Sequence, residues 1–347
     1  MGYRFTDYKG SFKMLNPEKN SYAYFPIANE KGVMSSVTPT LNGDCKMGQN
    51  TFLLSPVSAE ELHNNKSSRN FWIDVDGKGA WSVTGVSARQ QAQLFTKEKD
   101  ETLLEAGIMW HKVTRISEEM GIKAEVTSFV PNVEADGVVT EDTVELMKVT
   151  ITNVGNEVLT LRPTAAIPLY GRSATNLRDH RHVTSLLHRI QTTEYSVLVN
   201  PTLTFDERGH KVNTVTYGVS GATENGEMPV GFFPVVEDFI GEGGSFEVPE
   251  AIMESKDPII GADVKVDGYE AIGALSFAKV ALKPGESKSY IVAIGFAEEG
   301  VNYEEMAKKY LSGESFDKAL EATKAYWDEK ININYHTGDE TFDNWMY

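Results

Sequence analysis

The stretch Ile122-Lys123-Ala124-Glu125-Val126-Thr127-Ser128-Phe129-Val130 alternates apolar and polar side chains for most of its length. Successive side chains of a strand point to opposite faces, so one face of this stretch carries Ile122, Ala124, Val126 and Val130. The pattern predicts a strand that is buried on one side. The same alternation returns much later in the chain, at Tyr290, Val292, Ile294 and Phe296.

Period-two alternation dominates residues 50–296, and turn residues separate the runs. Asn153-Val154-Gly155-Asn156 lies between the apolar runs 144–151 and 158–161, which predicts a hairpin. Lys283-Pro284-Gly285-Glu286 predicts a second reversal before the strand at Tyr290. Many strands joined by Gly, Pro and Asn turns predict a mainly β fold of antiparallel sheets stacked as a large sandwich.

After Phe296 the pattern becomes helical. Asn302 and Glu305 have capping-box spacing, and Ser312-Gly313 predicts a stop after Leu311. A second helix is expected from Ser315, because apolar residues then recur at spacings of three and four: Phe316, Ala319, Leu320, Thr323, Tyr326, Trp327 and Ile331.

The last nine residues, 339–347, begin as a capped helix with an apolar side of Phe342, Trp345 and Met346. Three interpretations of this side stay open. The chain is a fragment of a longer protein, another chain covers the side, or the tail docks on the sandwich.

Composition limits the partners. The 347 residues include 50 Asp and Glu against 33 Lys and Arg, for a net charge of -17, which argues against nucleic acids and anionic membranes. No apolar run reaches the roughly 18 residues that a membrane span requires, and residues 1–15 lack the apolar centre of a signal peptide. Together with the single cysteine, Cys45, this predicts a cytoplasmic protein.

Residues 171–190 reverse the local charge. This segment holds four arginines and three histidines against one aspartate, and so carries +3. Guanidinium groups match phosphate and carboxylate, which makes an anion site one interpretation. Pairing with carboxylates of the same protein is the other.

Other motifs carry less chemistry. Gly241-Glu242-Gly243-Gly244-Ser245 lacks the spacing of a nucleotide loop, and Asp74-Val75-Asp76-Gly77 is interpreted as a turn because Gly85 replaces the acidic twelfth ligand of a calcium loop. His180 and His182 are flanked by arginines that repel cations, so no metal is predicted. The large aromatic residues are predicted to lie in the core, with sugar stacking as the alternative: Phe71, Trp72, Trp81 and Trp110.

The order of the motifs resembles the amino-terminal part of the cellobiose phosphorylase-like family of inverting glycoside phosphorylases, nearest to its oligoglucan and laminaribiose branches. The resemblance covers essentially the whole chain, and its stretches are 52–56, 70–74, 79–82, 125–131, 149–153, 179–190 and 342–347.

The resemblance implies a galactose-mutarotase-like super-sandwich over residues 1–298, a helical linker over 299–334 and the start of an (α/α)6 barrel over 335–347. Inverting phosphorolysis needs a general acid at the glycosidic oxygen while inorganic phosphate, the co-substrate, attacks the anomeric carbon. The acid that the resemblance implies is an Asp of the barrel, beyond Tyr347. The chain therefore carries no predicted catalytic residue and no cofactor, and is expected to be inactive alone.

Family members are homodimers in which the sandwich borders the mouth of the active site. The implied partners are β-glucosides or oligosaccharides and a catalytic barrel in cis or in trans. The segment 171–190 becomes a candidate rim for phosphate or sugar, with Val183, Leu186, Leu187 and Ile190 as its apolar anchor. The candidate rim residues are Arg172, Arg178, His180, Arg181, His182, His188 and Arg189.

Two other functions remain open at this point. A freestanding carbohydrate-binding module would need an exposed aromatic platform. A sugar epimerase of mutarotase type would need a His and a Glu that converge on a concave sheet, and fold alone does not choose between these functions.

Overall fold

The computed structural model describes residues 2–19, 23–57, 69–134, 136–179, 181–206 and 209–347, with backbone only for residues 178, 181, 182, 205 and 206. The strands of the described part are β1 Tyr3–Phe5, β2 Phe12–Leu15, β3 Phe25–Ala28, β4 Met34–Val37, β5 Cys45–Lys46, β6 Phe52–Leu54, β7 Asn70–Val75, β8 Gly79–Ser82, β9 Glu101–Gly107, β10 Trp110–Ser117, β11 Ile122–Phe129, β12 Val144–Asn153, β13 Leu159–Leu169, β14 Arg189–Thr192, β15 Ser196–Val199, β16 Leu203–Asp206, β17 Gly209–Val212, β18 Thr216–Thr223, β19 Gly231–Val235, β20 Lys265–Asp267, β21 Ala271–Ser276, β22 Val280–Leu282 and β23 Ser287–Ala297. The α-helices are α1 Ala88–Gln93, α2 Arg181–Ser185, α3 Val236–Ile240, α4 Glu250–Met253, α5 Tyr303–Lys308, α6 Gly313–Lys330 and α7 Glu340–Met346.

Two large antiparallel sheets form the sandwich. The large sheet has eleven strands in the order β1-β2-β9-β10-β11-β12-β23-β18-β15-β14-β20. The second sheet runs β19-β21-β13-β7-β8, with β22 also on β13. A small sheet, β3-β4-β5-β6, and a ribbon, β16-β17, complete the strands of the described residues. The predicted mainly β fold is confirmed.

The alternating stretch from Ile122 to Val130 lies on β11 and the residue that follows it. Its apolar face is buried in the core between the sheets, as is the matching face of β23, and each fully buried Ile or Val side chain stabilises the fold by about 1.5–3 kcal/mol. The buried residues of these two faces are Ile122, Ala124, Val126, Val130, Tyr290, Val292, Ile294 and Phe296.

The predicted hairpin at residues 153–156 is wrong. Residues 153–156 do reverse the chain, and Val154 N donates to Gly121 O at 2.9 Å. However, β12 pairs with β11 and β23 in the large sheet, whereas β13 pairs with β7, β21 and β22 in the second sheet. The turn therefore crosses between the two layers. Turn chemistry specifies that the chain reverses, but the pairing partner depends on which strand edges the rest of the fold leaves open.

The other two predicted turns are confirmed. Residues 283–286 reverse the chain between β22 and β23, with Glu286 N donating to Lys283 O at 2.9 Å. Asp76 and Gly77 lie in the tight turn between β7 and β8, which pair antiparallel. The connection through Asp76 is thus a hairpin turn, as interpreted from the sequence.

Both predicted linker helices are present. Asn302 caps α5 by accepting hydrogen bonds from the backbone N–H groups of Glu304 and Glu305. The second helix begins at Gly313, two residues earlier than predicted, because Ser312 acts as its N-cap and accepts from Ser315 N at 3.1 Å. Gly313 is therefore the first residue of α6 rather than a stop for α5.

The linker helices cover the outer face of the large sheet. Their buried side chains pack against the outward residues of β11, β12, β18 and β23 in one cluster that includes Phe129, Leu146, Ile291, Ala293, Tyr303, Tyr310, Phe316 and Leu320. Gly218 permits this approach, since a Cβ there would lie 2.2 Å from the Tyr303 ring. Tyr303 donates to Ala293 O at 2.9 Å. The central strands of the large sheet are thus buried on both faces.

Asp142 fastens α5 to this surface. Both of its carboxylate oxygens lie 3.0 Å from Lys309 Nζ, and one accepts from Tyr310 OH at 2.7 Å. Because Asp142→Ala leaves the buried Tyr310 hydroxyl without its carboxylate acceptor, we expect a loss of about 2 kcal/mol in the free energy of unfolding. Urea unfolding measures the loss. The control is Glu141→Ala, whose side chain is 84% exposed, and equal effects of the two variants would contradict the anchor.

The tail docks on the sandwich, the third of the three interpretations of residues 339–347. The Trp345 ring meets the Tyr3 and Phe5 rings edge to face at 5.5 and 5.7 Å, and Gly10 N donates to Asn344 Oδ1 at 3.0 Å. Even so, Trp345 remains 63% exposed. The domain boundaries at residues 298 and 334 stay predictions.

Candidate functional site

The segment 171–190 connects the two sheets at one end of the sandwich. The segment follows β13 of the second sheet, and its Arg172 forms an isolated β-bridge with Phe52 of β6. A 3-10 turn over Ala174–Arg178 and the single turn of α2 come next. The segment then enters β14 of the large sheet. The Phe52 N–H donates to Arg172 O at 2.9 Å. The start and the end of the segment are therefore held by backbone pairing.

Arg172 is buried at the start of the segment. It is 8% exposed, and its guanidinium carbon lies 5.3 Å from the centroid of the Tyr170 ring. Tyr170 donates its hydroxyl hydrogen to Ser173 O at 3.0 Å, which fixes the ring. The arrangement is a cation–π contact beneath the segment, so this charge does not lie on the exposed surface.

His188 lies fully buried at the end of the segment. Burial lowers its pKa to about 3, and the nearby charge of Arg172 acts in the same direction. Nearby backbone groups of Tyr269 and Tyr170 act in the other direction and raise the pKa. Among the described residues, however, neither ring nitrogen has a hydrogen-bond partner. The imidazole is therefore neutral at pH 7 and is enclosed by protein.

Arg189 is the exposed arginine at the β14 edge. Its Nη1 donates to Leu186 O at 2.9 Å and to His188 O at 2.8 Å, and its Nε lies 3.6 Å from an Asp267 carboxylate oxygen. The guanidinium thus holds the end of the segment through backbone carbonyl groups, while the side chain remains 43% exposed. It can still present charge to solvent.

The remaining rim candidates lie in the middle of the segment. Arg178 ends the 3-10 turn, and Arg181 and His182 begin α2, but only their backbone is described. His180 lies outside the described residues. Their roles stay predictions.

The predicted apolar anchor is wrong for Val183 and Leu186. These side chains are 63% and 60% exposed, while Ile190 is 1% exposed. The reason is that α2 is a single turn that ends at Ser185, so helical spacing does not reach Ile190, which lies on a strand.

Three of the four aromatic residues considered for sugar stacking lie in the core. Phe71 and Trp72 are fully buried and Trp81 is 2% exposed, which confirms the structural interpretation of these three. Trp110 lies on the outer face of the large sheet, where Lys324 of α6 places its Nζ 4.4 Å from the ring centroid. Phe71, Trp72 and Trp81 therefore present no open face for stacking, and Trp110 is partly buried with Lys324 over its ring.

The family model described as glycosyl hydrolase 94, supersandwich domain, matches residues 45–313, which is more than half of the chain. This chain belongs to the glycosyl hydrolase 94 supersandwich family. Domains of this family are typically non-catalytic parts of glycoside phosphorylases. The match includes both large sheets, apart from β1 and β2, and the first linker helix.

Three solved structures illustrate the likeness in fold. A polysaccharide lyase is 12% identical over 83% of this chain and 34% of its own, with a TM-score of 0.39. A bacterial glucoamylase complexed with acarbose is 11% identical over 99% and 39%, with a TM-score of 0.47. The GH92 α-mannosidase BT3965 from Bacteroides thetaiotaomicron is 12% identical over 93% and 37%, with a TM-score of 0.41. This supersandwich chain thus spans less than two fifths of the length of each of these three proteins. Comparison with curated proteins found no match.

A His and a Glu do converge inside this supersandwich domain. His111 of β10 and Glu145 of β12 are each 1% exposed, and both contact the small sheet: Phe25 of β3 lies 6.4 Å from the His111 ring, and Ser35 of β4 donates to Glu145. Burial lowers the pKa of His111 to about 4, partly opposed by the charge of Glu145. Because both groups are sealed from solvent, a sugar has no access to them, which disfavours the epimerase interpretation.

Glu145 is engaged by a residue that sequence reasoning missed. Arg69 forms a buried ion pair with it, through Nε and through Nη2 at 2.9 Å, and also donates to Asp44 O at 2.8 Å. Ser35 donates its hydroxyl hydrogen to Glu145 at 2.5 Å. The sequence did contain a signal for this pair: a single arginine lies directly before the apolar strand that begins at Asn70. A charge next to such a strand is buried, and a buried charge needs a partner.

Two further classes of site find no support among the described residues. No group of three or more His, Cys, Asp or Glu side chains there is placed to hold a metal ion. Likewise, within those same ranges no helix combines the length and the apolar character needed to cross a bilayer.

Proposed function

We propose that this chain is the non-catalytic supersandwich region of an inverting glycoside phosphorylase that acts on β-linked gluco-oligosaccharides, in the oligoglucan or laminaribiose branch of the cellobiose phosphorylase-like family. The observation that carries the proposal is the family match over residues 45–313. The proposal includes a cytoplasmic location, which the single buried cysteine, Cys45, supports.

In this proposal the reacting groups belong to another domain. A carboxylic acid donates its proton to the glycosidic oxygen, a phosphate oxygen attacks the anomeric carbon from the opposite face, and the glycosidic C–O bond breaks. The products are a sugar 1-phosphate of inverted configuration and the shortened saccharide. We assign the acid to an (α/α)6 barrel that works with this chain in cis or in trans. The chain alone is then expected not to turn over.

In this proposal the segment 171–190 forms part of the entrance to the active site. Without the enclosed Arg172, three arginines against one aspartate still give the segment +2 on a chain of net charge -17, which favours the approach of phosphate toward this end of the sandwich. The exposure of Arg189 supports such a role, with Arg178 and Arg181 as the neighbouring candidates. Arg172 and His188 are enclosed, so we assign them the positioning of the segment rather than contact with phosphate. Dimerisation through the sandwich is part of the same proposal.

The test measures release of glucose 1-phosphate from laminaribiose, sophorose and cellobiose with inorganic phosphate. The chain alone is expected to release none. With a barrel of this family joined after Tyr347, release is expected to begin, and the complex is expected to elute as a dimer. Phosphorolysis by the chain alone would refute the assignment of the acid to the barrel.

Charge removal tests the entrance. In the active form, Arg178→Ala with Arg181→Ala is expected to raise KM for phosphate about tenfold, the effect of losing roughly one charge-assisted contact, while KM for the saccharide changes little. The control is Lys283→Ala, which removes a 75% exposed charge in the turn before β23. An unchanged KM for phosphate would show that neither arginine contributes to phosphate binding.

A further inference from the structure

A cleft lies between the first strand and the last helix, away from the segment 171–190. Its volume is about 520 Å³, within the range of pockets that hold small ligands. The N-terminal residues Tyr3 to Tyr8 form one wall, and α7 forms the other through Glu340, Thr341 and Asn344. No ligand is predicted from the sequence for the residues that line it.

Aromatic rings line the N-terminal wall. Tyr8 is 74% exposed and presents its ring to solvent. Behind it, Tyr3 and Phe5 contact each other edge to face at 5.7 Å, and Trp345 Nε1 donates to Tyr3 OH at 2.9 Å. The inner rings are therefore held in place, while the outer ring is open to a flat apolar surface of a ligand.

Hydrogen bonds fix the polar groups of the cleft. Asp7 Oδ1 accepts from Lys9 N at 2.8 Å and from Ser11 N at 3.0 Å, which holds the loop after β1. Asn344 ties that loop to α7 and donates to Glu340 O at 2.9 Å. Within the described part of the chain, Asp7 Oδ2 and Glu340 Oε2 make no hydrogen bond and remain able to accept one.

This combination indicates the class of ligand. Two carboxylates against the single guanidinium of Arg4 leave the lining with a net negative charge, which opposes phosphate and other anions. Carboxylates accept hydrogen bonds from vicinal hydroxyl groups, and an exposed ring packs against the apolar C–H face of a pyranose. A neutral sugar satisfies both requirements, whereas an apolar ligand leaves the carboxylates without partners.

We propose that the cleft between β1 and α7 is a binding site for neutral hexose units of oligosaccharides, with Tyr8 as the stacking platform and Asp7 and Glu340 as hydroxyl acceptors. The site is separate from the entrance at 171–190. It requires neither phosphate nor the barrel, so binding by the chain alone is tested independently of the proposed phosphorolysis.

The test is isothermal titration of the purified chain with laminaribiose, sophorose and cellobiose. A single open site of this size is expected to bind with a Kd on the order of 1 mM. Tyr8→Ala is expected to weaken binding by about tenfold or more, and Glu340→Gln by about threefold to tenfold, because an amide retains only one acceptor oxygen. Both side chains are exposed and share only a long hydrogen bond, from Tyr8 OH to Glu340 Oε1 at 3.4 Å, so each change should have little effect on folding.

The matched control is Phe95→Ala, which removes a 97% exposed ring at another surface. Unchanged affinity in this variant, together with the losses at Tyr8 and Glu340, would support the site. Binding that survives both cleft variants would overturn the proposal by placing the sugar elsewhere. Absence of heat with all three sugars at 20 mM or so would overturn it as well, while leaving the phosphorylase proposal untouched.

Discussion

Replacing Arg69 with Met is expected to lower the free energy of unfolding by about 3–5 kcal/mol, because the change leaves the Glu145 carboxylate buried without its counter-charge. Both side chains of the pair are only 1% exposed. Arg69 also donates to the carbonyl oxygens of Gly43 and Asp44, so the loop between β4 and β5 loses its support at the same time. Urea unfolding followed by fluorescence measures the effect.

A double-mutant cycle separates the ion pair from the general cost of substitution. Arg69→Met combined with Glu145→Met removes both charges, and we expect the loss to be smaller than the sum of the single losses by about 1–3 kcal/mol. Lys318→Met is the control, since its partner Glu314 and Lys318 itself are 77% and 57% exposed, and its effect is expected to stay within about 0.5 kcal/mol. Additive losses in the cycle would show that the two charges do not stabilise each other.

Acidification is expected to destabilise the fold through His111 and His188. Burial holds the pKa of His111 at about 4 and that of His188 at about 3, below the ordinary value of 6.5. Between 6.5 and these values the unfolded chain binds protons that the folded chain does not. Stability is therefore complete above pH 6.5 and falls as the pH drops toward 4 and 3. Each histidine contributes a loss of about 2 kcal/mol by pH 5.

Urea unfolding at pH 7.5 and at pH 5.0 checks this expectation. In His111→Leu the difference in unfolding free energy between the two pH values should shrink by about 2 kcal/mol, whatever the stability of the variant at pH 7.5. Val212→Leu, at a 76% exposed position without a titratable group, should leave the difference unchanged. If wild type and His111→Leu lost equal stability on acidification, the buried imidazole would not be the cause.

Much of the fold could be predicted because it depends on local chemistry. The alternation on β11 and β23 identified the buried faces, since strand side chains alternate with a period of exactly two residues, and Asn302 identified the start of α5 through the groups it can cap. The short segment at Val183 and Leu186 was not predictable in the same way. One turn of helix does not specify which face the rest of the protein covers.

The candidate site was predicted in part only. Local charge identified the segment 171–190, but burial of Arg172 and His188 depends on Tyr170, Tyr269 and the strands around them. The partners Arg69 and Glu145 are separated by 76 positions in the chain, and no spacing rule connects them.

The sequence by itself determined the buried strand faces, the places where the chain reverses, the N-cap of α5 and the charge of the chain, because each of these follows from neighbouring residues. Only the tertiary structure decided that β12 and β13 belong to different sheets, that the linker helices cover the large sheet, and that Tyr8 meets Glu340 across a cleft. These pairings join positions far apart in the chain. They are selected by which surfaces remain to be buried once the whole fold has formed, and that choice is a property of all the strands together.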